Sequence, residues 1–206
     1  SLLMLEFEVD HLINQGAFQV TAGNVTGRVG TLENSAILLL LAGRFDVSGK
    51  TFVNSGQVKS ALGLSYTGTH FENRGQVLTA EQMRLRLSGT AKNIGTLQAD
   101  GGFEWHVKTF DHQQGKMIGH AKKQKSTIIV TDTMTTAEGT DCQLHEVALT
   151  AKEWDHRGTL SLSAVSSLKL GTFKHKGVVA AIENVYAQLT LITDDLQLQG
   201  VISFYN

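Results

Sequence analysis

A phrase recurs along this chain every nineteen or twenty residues: an apolar residue, a variable one, Asn or His, one or two more, Gly, then alternating apolar positions. Phe52-Val53-Asn54-Ser55-Gly56-Gln57-Val58 is one copy and Phe71-Glu72-Asn73-Arg74-Gly75-Gln76-Val77 is the next. Trp154-Asp155-His156-Arg157-Gly158-Thr159-Leu160 and Phe173-Lys174-His175-Lys176-Gly177-Val178-Val179 repeat it far downstream. A fixed period of this length marks a stacked solenoid, in which each repeat buries its apolar side only against its neighbours.

The Asn/His position falls at Asn14, Asn34, Asn54, Asn73, Asn93 and His112, then at His156 and His175. The steps are therefore 20, 20, 19, 20 and 19, then 44, then 19. A step of 44 holds two coils with a few inserted residues, the middle one running through Thr133 to Gly139. A weaker last copy, Leu196 to Val201, brings the total to about ten coils, enough for a stable stack. The expected organisation is one solenoid over residues 1–206. Its coils are regular over about 11–120 and less regular over 143–206, with an irregular coil and loop over about 117–142.

Within a coil the apolar residues alternate. Leu85 and Leu87 alternate with Arg84 and Arg86; Leu168 and Leu170 flank Lys169. This period of two lines one face of a strand, and no long window shows the three-and-four spacing of a helix. Glu81 to Ser88 contains good helix formers, but its place in the repeat assigns it to a strand. Each coil is read as two or three short strands joined by turns at Asn, Gly and Ser. Coils of 19–20 residues stacked about 4.8 Å apart give an all-β, right-handed parallel β-helix. The aromatics that open the phrases (Phe52, Phe71, Phe110, Trp154, Phe173) form an inward column. Asn14, Asn34, Asn54, Asn73 and Asn93 form a structural ladder, each amide bonding the one above and below. The chain has no proline, which suits a backbone whose N–H groups are committed to sheet hydrogen bonds.

Composition narrows the function. With 18 basic and 19 acidic residues, net charge −1, there is no electrostatic case for nucleic acid or an anionic membrane surface. The apolar run Ile37–Leu41 is too short to span a bilayer, so no membrane insertion is expected. Residues 1–9 carry Glu6 and Glu8, with no basic segment or cleavage site of a signal peptide. The chain starts and stops in strand-like sequence, as a piece of something longer would. The single Cys142 excludes an internal disulfide and a multi-cysteine zinc site. No cofactor is expected: there is no phosphate-binding Gly-rich loop and no nucleophile elbow, and His112 beside Asp111 lacks a nucleophile.

Several residue sets compete with purely structural explanations. His156 and His175 share a coil position one coil apart and are weak candidates for a metal or proton-sensing pair; as polar residues standing in for Asn they need no ligand. Glu72, Lys92 and Asp111, and again Asp155 and Lys174, form a column of alternating charge, read as a solvated ladder of cross-coil pairs. Thr31, Thr51, Thr90, Thr109, Thr133 and Thr172 precede the opening apolar residue, which fits strand propensity on an exposed face better than an ice-ordering array. Lys122, Lys123 and Lys125, with His120, form the single basic cluster, a candidate ligand-contact loop where the phrase falters.

The phrase apolar-x-Asn-x-Gly-x-Val-x-Ala resembles the haemagglutinin repeat of filamentous haemagglutinin and related large exoproteins. Phe71 to Ala80 and Ala91 to Ala99 carry the likeness most fully. It covers most of 11–120 and weakens over 121–206, where His replaces Asn. The resemblance implies a rod exported by two-partner secretion to the bacterial surface or medium, serving as an adhesin or as a stalk for a contact-dependent inhibition toxin. It implies no catalytic residues. The expected partner is a glycan or protein on a host or neighbouring cell, and bare coil ends imply end-to-end self-association. The alternative is a polysaccharide lyase or hydrolase working in a groove along the rod, which requires clustered Asp, Lys or Arg on one face.

Overall fold

The computed structural model describes residues 4–120, 125–181 and 188–204. These form two parallel sheets of ten strands each, with no helix. Ten long strands make one sheet and ten short strands the other, alternating along the chain. The molecule is a β-solenoid whose coil is one long strand followed by one short strand; coil 5, for example, is Met83–Asn93 then Thr96–Ala99. Register follows the repeat: Asn14, Asn34, Asn54, Asn73 and Asn93 lie over one another, then His112, Thr136, His156, His175 and Leu198. These residues number coils 1 to 10 below.

The strand division differs from the expected two or three short strands. The long strand turns a corner without breaking. In coil 5 Met83, Leu85 and Leu87 point inward, and inward placement resumes at Ala91 and Asn93 after Ser88-Gly89-Thr90. Coil 6 makes the same corner with one residue fewer, so Val107 is followed inward by Phe110, and the pairing shifts between Val107 and Thr109. A bulge there absorbs the difference between a 19- and a 20-residue coil while both straight segments stay in register.

The Asn is also not a turn residue. It ends the long strand with its side chain inside; Asn54, Asn73 and Asn93 are fully buried. The glycine two residues later, or three in coil 6, answers to space more than to backbone angle. A Cβ on Gly56, Gly75, Gly95 or Gly115 would overlap the carbonyl oxygen of Ala36, Gly56, Gly75 or Gly95 in the preceding coil, and of these four only Gly115 has a positive φ, 83°.

Between the sheets lies one continuous apolar core. Its aromatic column contains the five residues named from sequence, all buried, with Ala91 and Met134 interrupting it. Rings meet edge to face, as Phe52 and Phe71 do at 5.4 Å and 88°, and Trp105 and Phe110 at 5.0 Å and 87°. Such pairs add about 0.5–1.5 kcal/mol each beyond the area they bury.

The stretch 117–142 is more regular than its sequence suggests. Ser126–Thr136 is an ordinary long strand. The departures are the connection from Gly119 to Ser126 and the turn Ala137–Thr140, where Gly139 has φ 81°. A second long connection, from Ala181 to Leu189, occupies the same place in coil 9. Among the described residues no helix is long and apolar enough to cross a membrane.

Candidate functional site

The buried column at the end of the long strands is the molecule's most organised polar feature. Each Asn donates from Nδ2 to Oδ1 of the next: Asn14 to Asn34 at 2.7 Å, Asn34 to Asn54 at 2.7 Å, Asn54 to Asn73 at 2.8 Å and Asn73 to Asn93 at 2.9 Å. The same amides reach carbonyls of the turn, as Asn73 does to Gly75 at 3.3 Å and to Thr96 of the next coil at 3.0 Å. The rungs from Asn34 to Asn93 therefore tie their own turn and the following coil at once. The ladder has a direction, donors facing the C-terminal end.

From coil 6 the chemistry changes. Asn93 Nδ2 donates to His112 Nδ1 at 3.1 Å. Thr136 is the rung of coil 7, a residue the Asn/His spacing passed over because neither type stands there. Its hydroxyl accepts from Trp154 Nε1 at 3.2 Å and lies against His156 Nδ1. His156 Nε2 donates to the Val178 carbonyl and His175 Nε2 to the Val201 carbonyl. The two rings stack at 5.2 Å and 7°. Both ring nitrogens of His156 are thus engaged and the rings lie face to face, so the pair presents no converging lone pairs for an ion. Among the described residues no group of three or more His, Cys, Asp or Glu could hold a metal. Burial lowers His112 and His156 to about 4 and lowers His175 in the same direction. Cys142 is buried, and burial pushes its thiol up to about 12.

Most of the other sequence candidates that the structure describes are exposed or half-buried, Glu72 being buried. Lys122 and Lys123 fall outside the described residues; His120 is exposed, and Lys125 pairs with Glu146 at 3.5 Å. The threonine column is broken by His70 and Glu153, and within it Thr109 donates to Thr90 at 2.8 Å. Glu72, Lys92 and Asp111 are neighbours in register, as are Asp155 and Lys174. Their short contacts nevertheless run elsewhere. Glu72 pairs with Arg74 at 2.7 Å, Asp155 with Arg157 at 2.8 Å, and Lys174 with Glu153. The acid before a buried rung and the arginine just after it thus meet across the strand end, while Lys174 reaches back to Glu153 of the preceding coil; the column residues Glu72, Lys92 and Asp111, and Asp155 and Lys174, make no ion pair with one another. Arg74 holds the Glu72 carboxyl, and Arg157 the Asp155 carboxyl, below the usual carboxylate range.

A groove that no motif announced lies on the first half of the long strands in coils 1–4. Gly27, Gly49 and Gly68 occupy inward positions filled in coils 5 and 6 by Leu85, Leu87, Trp105 and Val107. The space at these glycines is taken by close neighbours, the Phe7 ring at Gly27 and the Val29 carbonyl at Gly49. Over this stretch runs an open trough of about 710 Å³, lined on its outer side by Glu6, Glu8, Thr26, Arg28, Asp46, Ser48, Ser65 and Thr67. Among the described residues Glu6, Glu8, Arg28 and Asp46 make no ion pair, whereas Glu72, Glu104, Glu146, Glu153 and Asp155 all do. The trough thus carries unpaired charge of both signs beside a row of hydroxyls.

No family model, curated protein or solved structure matches the chain.

Proposed function

We propose that the chain is a non-enzymatic rod and binding segment of a secreted or surface-displayed bacterial exoprotein, an adhesin or a toxin-carrying stalk. The observation that supports this most is the stack of two parallel ten-stranded sheets, in register on either side of the corner bulges, which fixes outward side chains at regular spacing on a stiff support. The resemblance of Phe71–Ala80 to haemagglutinin repeats points the same way. The trough over coils 1–4 is the binding surface: carboxylates, a free guanidinium and hydroxyls in rows suit the alternating donors and acceptors of an extended glycan on a host or neighbouring cell. End-to-end association belongs to the same reading. In the first and last coils, inward positions are half open, with Leu5 42%, Val9 39%, Leu196 45% and Leu198 51% exposed.

The test is a glycan array probed with the whole chain, repeated with Arg28→Gln and Asp46→Asn. Retention of a glycan, weakened at least about tenfold by either change (about 1.4 kcal/mol), supports the proposal. The same polysaccharides are then incubated with the protein. Release of unsaturated or reducing ends that stops in the Asp46→Asn variant would overturn it in favour of a lyase or hydrolase.

A further inference from the structure

The ladder's direction settles which histidine nitrogens carry protons. Asn93 Oδ1 accepts from Asn73, so Asn93 must offer Nδ2 to His112, and His112 Nδ1 must accept. Turning the Asn93 amide to receive a proton would break the rung below it, and so on down to Asn14. His112 therefore carries its proton on Nε2, which is buried without a partner among the described residues. His156 donates from Nε2 to a carbonyl, which leaves Nδ1 to accept from the Thr136 hydroxyl. His175 donates from Nε2 likewise, and its Nδ1 is buried and unpartnered. All three rings are fully buried. A second proton on His112 Nδ1 displaces the Asn93 amide and has only the Asn93 backbone carbonyl, 3.4 Å away, to turn to; on His156 Nδ1 it forces the Thr136 hydroxyl to turn round and give up its own hydrogen bond to that nitrogen; on His175 Nδ1 it meets no acceptor among the described residues.

We propose that these rungs make the second half of the solenoid an acid-operated segment, in which protonation of the histidine column opens coils 6–10 while the Asn-laddered coils 1–5 stay closed. Each coil rests only on its neighbours, so one stretch of the stack can open without the rest. Charge nearby does little to hold the imidazolium forms. His112 faces Asp141 of the next coil and has Asp111 beside it; Lys116 follows on its short strand. His156 has Asp155 beside it, already paired with Arg157, and the His175 ring over it. His175 sits between Lys174 and Lys176, with Leu198, Gln197 and Gln199 in the coil above. The short strands Thr159–Leu162 and Val178–Ala181 carry no charged residue.

The direction of the effect follows from linkage. The unfolded imidazoles titrate near 6.5 and the folded His112 and His156 near 4. Between these values the open form binds protons that the closed form refuses, so stability is full above the unfolded value, falls as pH drops from about 6.5 to 4, and levels off below. The asparagine half has no such group in its column.

The experiment is hydrogen exchange of the whole chain from pH 7.5 to 4, corrected for the intrinsic exchange rate. Protection of Val147–His156 and Ser166–His175 should fall at least about tenfold, with that of Phe45–Asn54 and Leu64–Asn73 changing less than about twofold. Loss of protection in both halves at one pH, or in neither, overturns the proposal. The double variant His156→Asn/His175→Asn should move the opening to lower pH. Should that variant not fold, imidazole titration of the unaltered chain by NMR decides. Protonation of His156 that tracks the loss of protection in its strand supports the proposal; protonation near 6.5 with protection retained overturns it.

Discussion

Coils 1–5 and coils 6–10 share one backbone course and fill its polar column in two ways. The first half repeats a single side chain, and each amide from Asn34 on both gives and receives, at 2.7 to 2.9 Å between Asn neighbours. The second half runs His112, Thr136, His156, His175 and ends in Leu198. There the rungs at His112 and His156 still bond to their neighbours Asn93 and Thr136, and ring stacking takes over beyond: His156 lies 5.2 Å from His175 and Phe173 5.3 Å from His175. Where the rung is a flat group, it stands one strand spacing, about 4.8 Å, from the next. A planar amide meets it through its edge and an imidazole through its face. Only the edge-to-edge solution satisfies every polar atom, which makes the first half the stiffer partner.

The sharpest way to break this comparison is to put leucine into both columns. Asn73→Leu leaves Asn54 Nδ2 without its Asn acceptor and Asn93 Oδ1 without its donor, both buried. Two such losses, at about 1–3 kcal/mol each, predict a destabilisation of about 4 kcal/mol. His175→Leu gives up one bond to the Val201 carbonyl, removes an Nδ1 that had no partner, and sets leucine beside Leu198. Its expected cost at neutral pH is about 1 kcal/mol. Denaturant midpoints followed by fluorescence of the buried Trp105 and Trp154 measure both. Equal shifts for the two variants would show that the halves draw the same stability from their columns.

The next test should leave the halves alike. A Cβ at Gly75 would overlap the Gly56 carbonyl oxygen, and one at Gly177 the Gly158 carbonyl oxygen. Backbone in the coil below cannot swing aside as a side-chain tip can, so Gly75→Ala and Gly177→Ala should each cost about 3 kcal/mol. This penalty depends on coil spacing and ignores the rung chemistry. A difference of more than about 1 kcal/mol between the two would mean that the His-bearing coils are stacked more loosely, and the comparison would then concern packing as well as polarity.

The repeat made the stack, its register and the ladder column legible, because a residue recurring at one coil length must lie over itself. Alternation such as Leu85 and Leu87 against Arg84 and Arg86 gave the strands and their inward side. What escaped was set by geometry inside the coil. The Asn was read as a turn residue because Asn favours turns, yet strand pairing continues up to it and the side chain goes inside. Thr136 carries no signal of type; only counting coils between His112 and His156 locates it. The ion pairs were read within shared columns, but Arg74 and Arg157 reach two residues back from just past their strand ends, and Lys174 pairs across coils with Glu153 rather than with Asp155. The trough over coils 1–4 is lined by outward polar residues on neighbouring coils, which an alternation pattern registers merely as the exposed side of a strand.

The smallest expected effects come from those arginines, and they refine the comparison at the surface. Arg74 and Arg157, each just past a strand end, grip an acid two residues back in the same coil, so neither bond joins one coil to the next. Exposed pairs of this kind contribute little and are screened by salt. Arg157→Ala should leave the denaturation midpoint within experimental error. Arg74→Ala should lower it slightly, because the Glu72 side chain is 11% exposed against 23% for Asp155 and keeps only His70 at 3.7 Å as an ion-pair neighbour. Added salt should shrink even that difference. A larger loss from Arg157→Ala than from Arg74→Ala would mean that outward charge, absent from this account of cohesion, compensates in the second half for what its buried column lacks.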